Sequence, residues 1–143
     1  MESSEKKGIK KIVADTNFLV DLVRFKVGLS DLDIAIGSAE IVVFDSVIAE
    51  LKNLARKKTS SGRYAALALQ LLEIKKMNVV SKSGRVDDLI LDFAKKFSEK
   101  SGKEKFSKGD LLVATNDGAL REKLKGLGIK TIYLRARKYL AVE

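Results

Sequence analysis

IKKIVADTN, residues 9–17, sets a β-branched run against an abrupt polar stop at Asp15-Thr16-Asn17. Apolar residues over 18–27 then recur at helical spacing, so the unit reads as strand, polar turn, helix. After a weaker helical stretch over 29–39, EIVVF (40–44) begins a second such unit, with Ser46 placed to cap the helix VIAELKNLARK. A polar break over 57–62 precedes a long helical segment over 64–77 and a brief strand over 78–81. A helix over 86–100, the charged loop KSGKEKFSKG and the strand LLVA (111–114) follow. Thr115-Asn116-Asp117 forms another polar turn before the helix ALREKLKGLG, which Gly126 and Gly128 stop, and IKTIYL (129–134) reads as the last strand. Strands alternating with helices predict an α/β fold with a mainly parallel central sheet covered on both faces, because parallel neighbours need crossover helices. No repeat or linker divides the 143 residues, so one domain over 1–143 is expected, with 1–8 a flexible lead-in.

Composition narrows the chemistry. The chain has no His and no Cys, which excludes Ser-His-Asp and Cys-His nucleophiles, structural zinc, thiol redox chemistry and histidine acid–base catalysis. Catalysis is left to carboxylates, hydroxyls, amides, Lys and Arg. A net charge of +9 suggests an anionic partner, of which nucleic acid is the commonest. The N-terminal MESSEKKGIKK has no apolar run behind its charges, and no stretch approaches the roughly 18–20 apolar residues of a membrane span, so a cytoplasmic protein without membrane contact is expected.

Ligands of open parallel sheets sit beyond the carboxyl ends of the strands. Asp15 and Asp117 fall there, flanked by Thr16, Asn17, Thr115 and Asn116. Taken singly, each Asp is also a good helix cap. Glu50 lies one turn into its helix, about 90° from the centre of the stripe Val47, Ile48, Leu51, Leu54 and Ala55, so it flanks the buried face. The same geometry separates two adjacent acids: Asp87 flanks the stripe of its helix and Asp88 points away. If Asp15, Glu50, Asp87 and Asp117 converge, each pair at about 5 Å repels by roughly 3 kcal/mol at an effective dielectric near 20, and the cluster needs a cation. An all-oxygen donor set selects Mg²⁺ or Mn²⁺, which activate water and stabilise a phosphodiester under attack. The cations Lys52, Arg56, Lys57, Lys58, Arg63, Arg85, Arg121, Lys123 and Lys125 lie on or near the same helices and loops and are candidates to neutralise a phosphate backbone. Aromatic residues are 6% of the chain, too few for base stacking to dominate.

The segments VADTN, VIAEL, VDDLILDFA and VATNDGALREKLKGLGI resemble the four acidic motifs of PIN domains, the PilT-N-terminus-like metal-dependent ribonucleases, over residues 9–134. The resemblance implies a three-layer α/β/α sandwich and metal-binding acids at Asp15, Glu50, Asp87 and Asp117, with Asn17 and Thr115 beside them. The ending IKTIYLRARKYL is similar to a stand-alone archaeal branch akin to the eukaryotic small-subunit ribosomal RNA processing endonuclease. This points to an endoribonuclease acting on single-stranded or loop RNA in RNA processing, in a homodimer or with a ribosome-assembly partner. A toxin-type ribonuclease paired with an antitoxin shares the motifs. A non-cleaving RNA-binding module is the competing class. A phosphoacceptor receiver domain is disfavoured, because its first strand wants an acidic pair where this chain has Asp15 followed by Thr16.

Overall fold

The computed structural model describes residues 11–27, 31, 37, 39–100 and 110–143. The expected weak helix over 29–39, the loop KSGKEKFSKG and residues 1–8 lie largely or wholly outside them. Six strands, β1 (Lys11–Ala14), β2 (Glu40–Phe44), β3 (Asn78–Val80), β4 (Leu111–Ala114), β5 (Lys130–Arg135) and β6 (Tyr139–Val142), form one sheet in the order β3-β2-β1-β4-β5-β6. The pairings β1·β2, β1·β4, β2·β3 and β4·β5 are parallel, and β6 runs antiparallel to β5. The inner strands show why: Ile12, Val13 and Ala14 of β1 and all four residues of β4 are buried, so both faces must be covered, as in parallel sheets.

The helices are α1 (Thr16–Arg24), α2 (Asp45–Ala55), α3 (Ser60–Ile74), α4 (Val86–Lys100) and α5 (Gly118–Gly126). From β1 the chain winds outward through β2 to β3, then returns past β1 to β4. With right-handed crossovers, that reversal puts α1, α2 and α3 on one face and α4 and α5 on the other. The packing agrees, since α3 contacts both α1 and α2 while α4 contacts α5. Phe44 of β2 meets Phe93 of α4 edge-on, with ring centroids 6.0 Å apart. The result is an α/β/α sandwich with its core in the sheet interior, and among the described residues no helix is long and apolar enough to cross a membrane. At the amino ends of the strands, Glu40 accepts from Lys11 Nζ and Asn78 Nδ2, both at 2.6 Å, which ties β1, β2 and β3 together.

Three local expectations need correction. Ser46 does not cap α2. The helix starts two residues earlier than expected, at Asp45, without a side-chain cap, and Ser46 Oγ donates instead to Lys82 O at 3.2 Å, while Asp45 accepts from Ser81 Oγ and Lys82 N–H. The helix expected over 64–77 spans Ser60–Ile74, because Thr59 supplies the cap by accepting from Gly62 N–H at 3.1 Å. The strand after α5 is not the last, since the chain turns at 136–137 and returns as β6. Gly128, at φ +77°, supplies the expected stop after α5.

The α2–α3 turn is tight enough to exclude a side chain. A Cβ on Gly62 would lie 2.2 Å from Lys57 O and 2.8 Å from Leu54 O, both backbone atoms that cannot swing aside. Helix propensity alone favours Ala over Gly by about 1 kcal/mol. Gly62→Ala is nevertheless expected to destabilise by about 1–3 kcal/mol through overpacking, seen as a lower urea midpoint at unchanged slope.

Candidate functional site

Strand order reverses between β1 and β4, and a crevice opens beyond the carboxyl ends of strands at such a point. Ala14 is in register with Ala114, so the residues that follow each strand emerge at the same level. Asp15 N–H donates to Ala114 O at 2.9 Å, continuing the ladder by one bond. The Asp15 side chain then turns inward and is 5% exposed. Its Oδ1 accepts from Thr16 N–H at 2.8 Å, capping α1, and its Oδ2 accepts from Thr115 Oγ1 at 2.9 Å. Thr115 is fully buried, and its hydroxyl also accepts from Asp117 N–H at 3.1 Å. One hydroxyl thus bridges the two acids. Asp117 Oδ1 caps α5 by accepting from Ala119 N–H at 2.9 Å and Leu120 N–H at 3.3 Å.

Two further acids arrive from the layers. Glu50, in the second turn of α2, accepts a hydrogen bond from Thr16 Oγ1. Asp87 stands half-buried in the first turn of α4, and Asp88 is exposed, as their helical positions require. The cleft, about 250 Å³, is lined by Asp15, Thr16, Asn17, Glu50, Arg85, Val86, Asp87 and Asp117. All four expected acids therefore share one cleft, with Thr16, Asn17 and Arg85 among its walls.

Its electrostatics are those of charge without enough counter-charge. Burial raises the Asp15 carboxyl above its ordinary 3.8, Thr115 and the Thr16 amide pull it back, and the charges of Asp87 and Glu50 raise it further. Glu40, with Lys11 and Asn78 as donors, is held below the usual range instead. Among the described residues no three carboxylates are drawn together tightly enough to form a ready metal cage. Mg²⁺-type ions do not require one, since they keep several waters and bind through one or two carboxylates plus substrate phosphate. The all-oxygen donors and the raised Asp15 fit such an ion.

Not every expected residue belongs to the cleft. Asn116 faces away from it: its Nδ2 donates to Asp21 Oδ2 at 3.0 Å and its Oδ1 accepts from Leu134 N–H at 2.8 Å, clamping α1 to β5. Arg121 is not free to meet RNA, because it pairs with Glu143 at 2.9 Å and stacks over Tyr133 at 3.9 Å. Arg63, with Lys57 and Lys58, lines a separate hollow of about 600 Å³ between α2 and α3. Lys52 and Arg56 are exposed on α2 and line neither cavity, so of the candidate RNA-binding residues Arg85 alone lines the cleft. The sequence reading missed the cations Arg24, Arg135, Arg137 and Lys138, whose grouping depends on the unexpected turn before β6.

Known proteins share this arrangement. The family model of a PIN like domain matches residues 12–137. Ribonuclease VapC4 of Methanocaldococcus jannaschii is 30% identical over 136 residues, covering 92% of this chain and 95% of that protein. Among solved structures, the PIN domain endonuclease Utp24 superposes with a TM-score of 0.70 at 22% identity, over 93% of this chain and 90% of its own. A domain of a functionally unknown protein from Methanocaldococcus jannaschii superposes with a TM-score of 0.56 at 22% identity, over 89% of this chain and 92% of its own. A match of this extent, on a fold whose acids sit at the topological switch point, establishes that the chain belongs to the PIN-like domain family.

Proposed function

We propose that this chain is a single-domain, cytoplasmic endoribonuclease that hydrolyses single-stranded or loop RNA with Mg²⁺ or Mn²⁺, in RNA processing. The observation that carries the reading is that four carboxylates from four separate segments line one cleft in which Arg85 is the only cation among the lining residues. When bound, the metal supplies charge neutralisation, a more acidic water and stabilisation of the charge developing on the phosphodiester. Asp15 and Asp117 would hold it directly, and Glu50 and Asp87 would complete the site or hold the surrounding water. Thr115 fixes the first two relative to each other, and Thr16 orients Glu50. In the reaction a water gives up a proton as its oxygen bonds to phosphorus, the bond to the leaving ribose oxygen breaks, and that oxygen takes up a proton in return. Arg85, at the cleft wall, attracts the phosphate beside the one cleaved.

The second reading is a toxin-type ribonuclease restrained by an antitoxin. The 30% relationship to Ribonuclease VapC4 favours it. Both readings keep the same chemistry, and production of the chain alone in a bacterial host separates them. Growth arrest that Asp15→Asn abolishes marks the toxin; unimpeded growth with processed ribosomal RNA precursors marks the processing enzyme.

End-labelled single-stranded RNA incubated with the protein and Mn²⁺ or Mg²⁺ is expected to be cut internally, and to survive intact in EDTA or with Asp15→Asn. RNA that is bound but never cut, whatever the metal, would overturn the reading in favour of a binding module. Thr115→Val, which removes the bridge between two acids, is expected to lower activity or metal affinity about 10–100-fold.

The raised Asp15 carboxyl fixes a second outcome. Below 3.8 the group is protonated in both folded and unfolded chains; as pH rises the unfolded chain releases the proton first, so stability is lost until the folded group ionises too. In chelator, the melting temperature of Asp15→Asn relative to that of the native chain is therefore expected to rise from pH 3.8 upward. Saturating divalent metal is expected to raise the melting temperature of the native chain and not that of the variant. Thermal scans across pH, with and without metal, check both.

A further inference from the structure

The cleft is acidic, so an RNA strand that crosses it must have its phosphates neutralised elsewhere. β5 outruns β4: the last pair is Ala114↔Ile132, and three more residues carry the strand about 10 Å beyond the carboxyl end of β4, to the side of the sheet where the acids lie. There it turns through Ala136 (φ 55°) and Arg137 (φ 57°), closed by Lys138 N–H donating to Arg135 O at 3.1 Å. Arg135 pairs with Tyr139 across a three-residue loop, whose first two residues take the left-handed conformation that Asn-Gly or Gly-Gly ordinarily supplies in hairpins. Here its corner residues are Ala and Arg, in a basic run, Arg135-Ala136-Arg137-Lys138. The Arg137 guanidinium lies 5.4 Å from the centre of the Phe25 ring at the end of α1, and the Arg24 guanidinium lies 4.8 Å from the same ring. Among the described residues no carboxylate pairs with Arg24, Arg135, Arg137 or Lys138. The patch is not adrift from the site, because Asn116, next to Asp117, bonds both Leu134 of the hairpin and Asp21 of α1.

We propose that the tip of the β5–β6 hairpin and the end of α1 form a grip for the RNA phosphate backbone, which seats the strand beside the carboxylate cleft. The inference rests on the ribonuclease reading for its ligand. Phe25 holds two guanidinium groups ready, the turn carries Arg137 outward, and Asn116 fixes the distance from grip to acids.

The test is a salt titration of binding, with fluorescein-labelled oligouridylate as probe and Asp15→Asn as the background that prevents cutting. Arg135→Gln/Arg137→Gln/Lys138→Gln is expected to weaken binding at low salt at least about tenfold. It should also flatten the slope of log K against log salt by roughly 2, at about 0.7 for each phosphate contact of a single strand. Lys76→Gln/Lys95→Gln/Lys130→Gln removes the same charge away from the hairpin and the cleft and is expected to leave the slope near that of the parent. Equal effects of the two triples, or an unchanged slope in the first, would overturn the grip. Arg24→Gln leaves the turn untouched and is expected to lower the slope by roughly 0.7, so the proposal stays testable if the hairpin triple does not fold. The native chain in the same buffers separates the two claims. Failure to cut RNA with any divalent metal, alongside a hairpin-dependent slope, sinks the nuclease reading and keeps the grip; cutting by the native chain and a slope indifferent to the hairpin do the reverse.

Discussion

The architecture turns on one buried carboxylate. Asp15 ends the central strand, continues its ladder onto β4, caps α1 with one oxygen and takes the Thr115 hydroxyl on the other. Each bond stabilises the ionised form, yet burial and two neighbouring acids outweigh them. The fold thus holds a negative charge where it is least comfortable. The positive end of a helix offsets part of that penalty, and both Asp15 and Asp117 stand at one. The contrast with Glu40, at the other end of the same strands, is instructive: that carboxylate has Lys11 and Asn78 to itself and sits in its preferred charge state. One end of the sheet is electrostatically finished, and the other leaves a buried carboxylate among acidic neighbours.

Charge is partitioned over the rest of the molecule in the same spirit. The whole chain carries a net charge of +9, yet its cleft is lined by four acids and one cation, so the field of the chain and the field within the cleft have opposite signs. On the proposed reading, capture and chemistry fall to different surfaces. Arg85, at the boundary, is where they meet.

Much of this was legible in the residues. Both faces of β1 and β4 are covered, and their unbroken apolar runs say so. Helical phase alone separated Asp87 from Asp88 and put Glu50 on the flank of its stripe, because those angles depend on local geometry and not on tertiary context. What failed depended on partners distant in sequence. Ser46 looks like a cap until β3 brings Lys82 within reach. Asn116 looks like a site residue until α1 and β5 claim both ends of its amide. Arg121 reads as a free cation until the return of the chain delivers Glu143 and Tyr133. β6 was missed because its turn lacks Gly or Asn: Ala136 and Arg137 take left-handed conformations that their side chains do not announce.

The bonds around α2 have a mechanical meaning. Asp45 and Ser46 anchor the start of that helix to Ser81 and Lys82, in the segment that leads through Arg85 to Asp87. Glu50 and Asp87 therefore share a mounting, just as Asp15 and Asp117 share Thr115. The cleft is built as two jaws, each with a pair of acids, and the Thr16–Glu50 hydrogen bond joins them. A site mounted this way takes the spacing of its acids from strand ends and helix starts, with the Thr16–Glu50 hydrogen bond as the link between the two pairs.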